Sequence, residues 1–487
     1  MKKLITVVIL LISIQITAQD NILLNRKFWN PTVSVATVQS EIAKGNDPTQ
    51  LNNNNFDPMV YAILQSAPND VLKFMLSQEG NDVNKLTHDG RTYIFWAAYA
   101  GNDTIMEYLI SKGAKTDILD DHGYTVLNFA ANAGQTNTKV YELCIDNGAD
   151  LKKDVNHDGA NAMLLAAPSN IKLSNYFIHK GISVKSVDNN GNGIFNYAAK
   201  TGNIEVLEGL IKEGLKGNDQ AFIFASQGTR GKTNGLEVYK YLESIGLKPN
   251  VKTIEGLTPL HNTAAKSKDV AVSNYFIENG VSVNAADKNG NTPFLNAVKN
   301  NSVEVVTTLL SKADNIEYTN KKGQTALILA VQNNSTDVVK LLLSKNAKID
   351  VTDAKGNNLA YYLIESYSPR NAKSFETKLQ LLESNGLDFT TPQKNGNTLL
   401  HLALDKNDTN FLKQIAQFDV DVNAINSEGY TALHLAAMKA QDTTVIRYLL
   451  SLGADKNIKT SFDETVFDLA SENELLSKKG VSLNFLK

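Results

Sequence analysis

Seven histidines, one cysteine and two glycine-rich runs are the residues of this 487-residue chain whose types could do chemistry. The histidines are His88, His122, His157, His179, His261, His401 and His434. A zinc site would need several of them, or of their acidic neighbours, to converge within ~2 Å of one ion. His88, His122 and His157 each stand beside a glycine turn, so each is expected to project from its own turn as an exposed residue. Gly191-Asn192-Gly193 has no third glycine and no preceding strand pattern, which sets aside a dinucleotide site. Gly231-Lys232-Thr233 ends like a phosphate-binding loop, yet Ser226 stands where the first glycine must be and a helical pattern precedes it. Cys144, the single cysteine, has no partner for an internal disulfide, and its place four residues before Gly148 is that of a buried core residue. No acid, base and nucleophile converge, so the chain is read as a non-enzyme with no metal and no cofactor.

The elements that would have to position such residues are clearest from Gly429 to Asn457, reading G-Y-T-A-L-H-L-A-A-M-K-A-Q-D-T-T-V-I-R-Y-L-L-S-L-G-A-D-K-N. Gly429 closes a tight turn and Thr431 can cap a helix carrying Leu433, Leu435, Ala436 and Ala437. A second helix follows, with Val445, Ile446, Leu449 and Leu450 as a one-sided apolar stripe, and Gly453 ends it in a left-handed conformation. Such a pair is too short to bury its own apolar face, so it must stack on a copy of itself.

The unit recurs. Its cap is read at Asp57, Thr92, Thr125, Asn161, Gly193, Gln220, Thr258, Thr292, Thr325, Asn358, Thr398, Thr431 and Thr465, with turn glycines from Gly90 to Gly429 and proline after the cap at Pro58, Pro259 and Pro293. Second helices end at Gly113, Gly148, Gly181, Gly214, Gly246, Gly280 and Gly386, with Asn346 in that place once. Two units depart: the one at Gln220 lacks its turn glycine and carries Gly228 to Gly235 between its helices, and the one at Asn358 carries Ser366 to Asn371 there. Both insertions are expected to be loops.

Gly-x-Thr-x-Leu-His-x-Ala-Ala, then Val-Ile and Leu-Leu, then Gly-Ala-Asp resembles the ankyrin repeat, whose period is roughly 33 residues. The resemblance implies an all-α repeat solenoid of about a dozen units, with β-hairpin-like loops between helix pairs and caps at both ends. It also implies that His261, His401 and His434 hydrogen-bond neighbouring backbone and tie adjacent units.

At the start, Met1-Lys2-Lys3 precedes an apolar run from Leu4 to Ile16, shorter than the ~20 residues a spanning helix needs. It is read as a signal peptide, residues 1–18, cut after Ala18. Residues 19–51 are then an N-terminal cap, 52–460 the repeat array and 461–487 a C-terminal capping repeat. The mature chain is expected in the periplasm or outside the cell, with no membrane insertion and as a monomer. A net charge of −3 argues against a nucleic-acid partner.

Function is therefore expected at the surface. The resemblance implies a partner protein bound through hairpin tips and exposed first-helix positions that together form a concave face. Here those positions include His88, Asp89, Arg91, Tyr99, His122 and Tyr124, and near the end Glu428, Tyr430, Met438 and Lys439. The basic tips Lys288-Asn289-Gly290 and Lys321-Lys322-Gly323 suit an acidic partner. The expected function is a scaffold or binding module, the alternative an inhibitor or accessory subunit of one periplasmic or secreted enzyme.

Overall fold

Every cap position read from the sequence opens a helix in the computed structural model, which describes residues 21–230 and 232–487. The segment read as a signal peptide lies outside the described residues. Asp57 accepts a hydrogen bond from the Val60 amide, Thr125 from Asn128, Asn161 from Leu164 and Thr431 from His434. Each bond satisfies one of the amides that a helix start leaves unpaired. Pro58, Pro259 and Pro293 take the first helical position, where a missing amide hydrogen costs nothing.

Two kinds of helix alternate along the chain. The first of each pair is buried almost all round: Tyr93 to Ala98 in the helix Tyr93–Ala100, and Ala326 to Val331 in Ala326–Asn333. The second buries one stripe, such as Val338, Val339 and Leu342 in Thr336–Ser344, or Ile446 and Leu449 in Thr444–Ser451. The contrast follows from position, because first helices pack on the first helices of both neighbours and on their own partner. The residues so arranged form two compact units, one ending at Gly217 and one running Asn218–Lys487. Each is a stack of helix pairs, and no strand occurs among the described residues.

Within the first unit, two single 3₁₀ turns, Ile22–Leu24 and Arg26–Phe28, precede the helix Val35–Ala43. Trp29 is buried there and its indole N–H donates to the Leu23 carbonyl at 2.8 Å. At the far end of the second unit the last helix, Glu474–Lys478, is cut to five residues. Cys144 is fully buried, and burial pushes its thiol up to about 12, so it is an inert core residue.

Three sets of polar bonds join one helix pair to the next. In the first, the Nδ1 of His261, His401 and His434 accepts from the amide of the helix-capping threonine, while Nε2–H donates to Asn291, Tyr430 and Ile458 carbonyls at 3.1, 3.0 and 2.9 Å. Burial holds all three imidazoles below the usual histidine range, which suits this neutral tautomer. In the second, Asn301 donates to the carbonyls of Ala264 and Ser267, Asn334 to those of Val298 and Asn301, and Asn473 to those of Ala437 and Ala440. These close the unpaired carbonyls at the end of the preceding first helix. In the third, backbone bonds run between turns, as from Ala354 N–H to the Lys322 carbonyl at 2.9 Å. Gly323 shows why the turn needs glycine: its φ is +74° and a Cβ would stand 2.4 Å from the Ala354 nitrogen.

Asn128 breaks the histidine pattern. It holds the equivalent place, three residues after Thr125, is fully buried, and neither its Oδ1 nor its Nδ2 has a partner among the described residues. An amide is too short to reach both the cap and the next pair. Asn128→His is therefore expected to raise the stability of the first unit by about 1–2 kcal/mol, read as a higher midpoint in urea unfolding. A lower midpoint would reject the assignment.

The two insertions differ. Between the helices Ala221–Gln227 and Leu236–Ser244 the residues form the expected loop, with an isolated bridge between Thr229 and Lys232. The insertion after Ser366 does not stay a loop. It forms a 3₁₀ turn, Pro369–Asn371, and leads into a second helix of 13 residues, Ala372–Ser384. Tyr367 now occupies the place that Asn301 and Asn334 hold, and turns away to stack on Phe411 at 3.7 Å and donate to Asp408 at 2.7 Å. The Val331 carbonyl is closed instead by Lys378 Nζ at 2.9 Å.

Candidate interaction surface

Between helix pairs the chain projects a finger whose turn is fixed by its own polar groups. In the second finger the Thr87 amide and hydroxyl both donate to the Arg91 carbonyl, and Asp89 adopts a left-handed φ of 57°. In the next, Asp120 Oδ1 accepts the His122 and Tyr124 amides, both at 2.9 Å. The fingers then join: the Asp121 amide donates to the Asp89 carbonyl at 3.0 Å.

Arg91 is buried, where the sequence reading set it among the exposed finger positions. It is 7% exposed, and its guanidinium donates to Asp89 Oδ2 at 3.0 Å and twice to Asp120 Oδ2 at 2.8 Å. It also lies 4.2 Å above the Phe129 ring and 5.4 Å from that of Trp96. Three of its five N–H donors are thus engaged inside the fold, over an apolar floor and against two carboxylates.

His88 and His122 do not project independently. Their Nε2 atoms lie 3.4 and 3.3 Å from the same oxygen, Asp89 Oδ2. His88 Nδ1 is also 2.9 Å from the Asn54 carbonyl, and its ring stacks on Phe56 at 4.3 Å. An aromatic file continues from there through Phe56 and Trp96 at 5.6 Å and Trp96 and Phe129 at 5.8 Å to Tyr99, whose ring stacks on Phe129 at 5.6 Å and is itself exposed. Tyr99 and His122 are thus presented to solvent on a rigid base, with His88, Asp89 and Tyr124 half-buried beside them. Among the described residues no group of three His, Cys, Asp or Glu is arranged to hold a metal.

The second group is divided between exposed and half-buried residues. Tyr430 is half-buried, its carbonyl tied to His401 and its ring edge-on to His434 at 6.4 Å. Met438 is half-buried, while Glu428 and Lys439 are exposed, Lys439 pairing with Asp405 at 2.6 Å. A cleft nearby is lined by Ala403, Leu404, Leu435 and Ala436, with Asp408 and Lys439 as its only charged residues.

Sequence reading missed the row that flanks the first group. Leu51, Leu86, Leu119, Val155 and Val187 each stand four residues before the left-handed turn residue of their finger and are 40 to 64% exposed. A lone exposed leucine means little, but five at one register position of consecutive fingers form an apolar edge. In the second unit most fingers carry Lys252, Ala286, Thr319, Thr352 or Pro392 in that place. Counting back from each turn residue would have found the row. It was passed over because an apolar residue in a short run reads as core, whereas a finger has no layer to bury it against.

A family model described as ankyrin repeats in three copies matches residues 59–153, 223–321, 297–353, 315–374 and 370–460. Among similar curated proteins, a Caenorhabditis elegans transient receptor potential cation channel subfamily A member 1 homolog is 33% identical over 96 residues, 20% of this chain and 8% of that one. A putative ankyrin repeat protein of Fowlpox virus is 35% identical over 74 residues, 15% of this chain and 12% of that one. Alpha-latrotoxin-Lg1a of Latrodectus geometricus is 29% identical over 102 residues, 20% of this chain and 7% of that one. The likeness is confined to a few helix pairs in each.

Proposed function

Because the chain belongs to the ankyrin-repeat family, whose stacks are protein-binding scaffolds, we propose that it is an exported, non-enzymatic module that captures another protein on the finger edge of its first unit. The observation that carries this reading is the apolar row Leu86, Leu119, Val155 and Val187 beside exposed Tyr99 and His122. Apolar side chains held on a rigid base lose little entropy on binding, and the aromatic and histidine neighbours supply the anchors and polar rim of an interface. Export rests on the basic start and the apolar run before Ala18.

The test uses the full chain expressed with its own N-terminus. Bait recovered from the periplasm or medium should begin at Gln19; bait that keeps Met1 and stays in the cytoplasm ends the export part of the reading. A partner retained by this bait is then titrated against wild type and Leu86→Asp/Leu119→Asp/Val187→Asp. Charges on three contact positions should weaken binding at least 100-fold with the helical circular dichroism unchanged. Equal affinity of the two would remove the row from the interface. If the partner is a single enzyme whose turnover falls on binding, the module acts as its inhibitor.

A further inference from the structure

The second unit carries a finger row of a different chemistry, at the tips whose basic character the sequence already showed. Lys288, Lys321, Lys322, Lys355 and Lys394 are all exposed, and each lies one or two residues before the left-handed glycine of its turn, Gly290, Gly323, Gly356 or Gly396. Backbone bonds hold the four fingers in register: Lys321 N–H to the Asn289 carbonyl at 2.9 Å, Ala354 N–H to Lys322 at 2.9 Å and Lys394 N–H to Gly356 at 3.3 Å.

Asp287 and Asp353, the carboxylates of these same fingers, form no ion pair with the row among the described residues. Asp287 Oδ1 accepts the Asn289 and Asn291 amides, and Asp353 accepts the Lys355 and Asn357 amides and the Tyr362 hydroxyl. Both are committed to shaping turns. Lys288 pairs with Glu255, while Lys321, Lys322, Lys355 and Lys394 form no ion pair among the described residues. Four ammonium groups without an ion-pair partner among the described residues therefore line three adjacent fingers that carry one carboxylate, Asp353, in a chain whose net charge is −3.

We propose that this row binds an extended acidic segment of a partner protein. Packed helix layers repeat at ~10 Å, and a chain extended as a polyproline-II helix rises ~3.1 Å per residue with about three residues per turn, so a carboxylate at every third residue lies on one face and meets each finger in turn. The row suits carboxylates better than other polyanions. Residues 286–292, 319–325, 352–358 and 392–398 of these fingers include no Phe, Tyr or Trp on which successive bases could stack and no arginine fork for a phosphate; Tyr318, next to Thr319, is a single half-buried ring. Where the first unit presents leucine and valine, these fingers have Ala286, Thr319, Thr352 and Pro392, which gives a lipid surface no large apolar side chain to take up. The row lies in the other unit from the surface proposed above and stands or falls separately.

The experiment is fluorescence anisotropy on the full chain with a labelled peptide of about a dozen residues carrying glutamate at every third position. Binding should be saturable at low salt and weaken steeply as salt rises. The variant Lys321→Glu/Lys322→Glu/Lys355→Glu/Lys394→Glu should lose at least 30-fold in affinity, and the corresponding four-alanine variant should show the same direction if the charge reversal perturbs folding. A control with the same change in net charge, Lys172→Glu/Lys212→Glu/Lys240→Glu/Lys340→Glu on exposed helix faces, should bind like wild type. Absence of binding at low salt, equal loss in the control, or tighter binding of an oligothymidylate or of phosphatidylserine vesicles than of the peptide would overturn the proposal.

Discussion

Arg91→Ala is expected to cost the first unit about 3–4 kcal/mol. The size follows from what the substitution strands rather than from the bonds it removes. Asp120 has no side-chain exposure, and its Oδ2 is held by Arg91 alone among the cations. Truncation leaves that carboxylate buried without its guanidinium, with the His122 and Tyr124 amides donating to its other oxygen. It also frees Asp89, and with it the finger on which His88 and His122 converge. Arg91→Lys should fall between, because an ammonium restores charge but cannot reach both carboxylates in the plane of a fork. Urea unfolding followed by tryptophan fluorescence reads the effect, since Trp96 lies against the site. A loss under 1 kcal/mol would show that Arg91 is dispensable to the fold and would return it to the partner surface.

Lys378→Met is expected to do the opposite and stabilise the second unit at neutral pH. Lys378 is 5% exposed and among the described residues has no acidic partner, donating to the Val331 carbonyl, and burial pushes its ammonium down to about 8. The folded chain therefore gives up this proton between about pH 8 and the ordinary lysine value of 10.5, where the unfolded chain still holds it. Unfolding binds protons in that window, so this group makes stability rise with pH from about 8 to 10.5; below 8 both states are charged and the full burial penalty stands. A shift of this size amounts to about 3 kcal/mol, against which losing the bond to Val331 costs about 1 kcal/mol. The net gain at pH 7 is then about 2 kcal/mol. Unfolding midpoints of wild type and variant at pH 7 and pH 10.5 check both parts: the variant should lead at pH 7, and its lead should disappear at the higher pH. A constant difference across that range would show that the ammonium is solvated in the native state.

Most of the fold was legible because it is local. A cap, an apolar run and a glycine specify a helix pair through bonds made within a few residues, which is why Thr125, Asn161 and Thr431 open helices where their spacing placed them. Repetition then required stacking, since no pair can bury its own face. The inserted unit shows the limit. The sequence Ser366 to Asn371 announced an interruption, but its continuation into a long second helix and the arrival of Lys378 at Val331 depend on a neighbouring helix end left without its asparagine.

The candidate surface divides the same way. Residue type and register, read along the chain, determined which positions lie in fingers and that His261, His401 and His434 belong to the pattern. Only the tertiary structure decided that Arg91 turns inward, that His88 and His122 share Asp89, and that a row of leucines and valines stays outside while identical residue types elsewhere form the core. The physical reason is that burial is a property of what a neighbouring layer covers, and a finger reaching past its layer keeps its apolar side chains in water whatever the local pattern says.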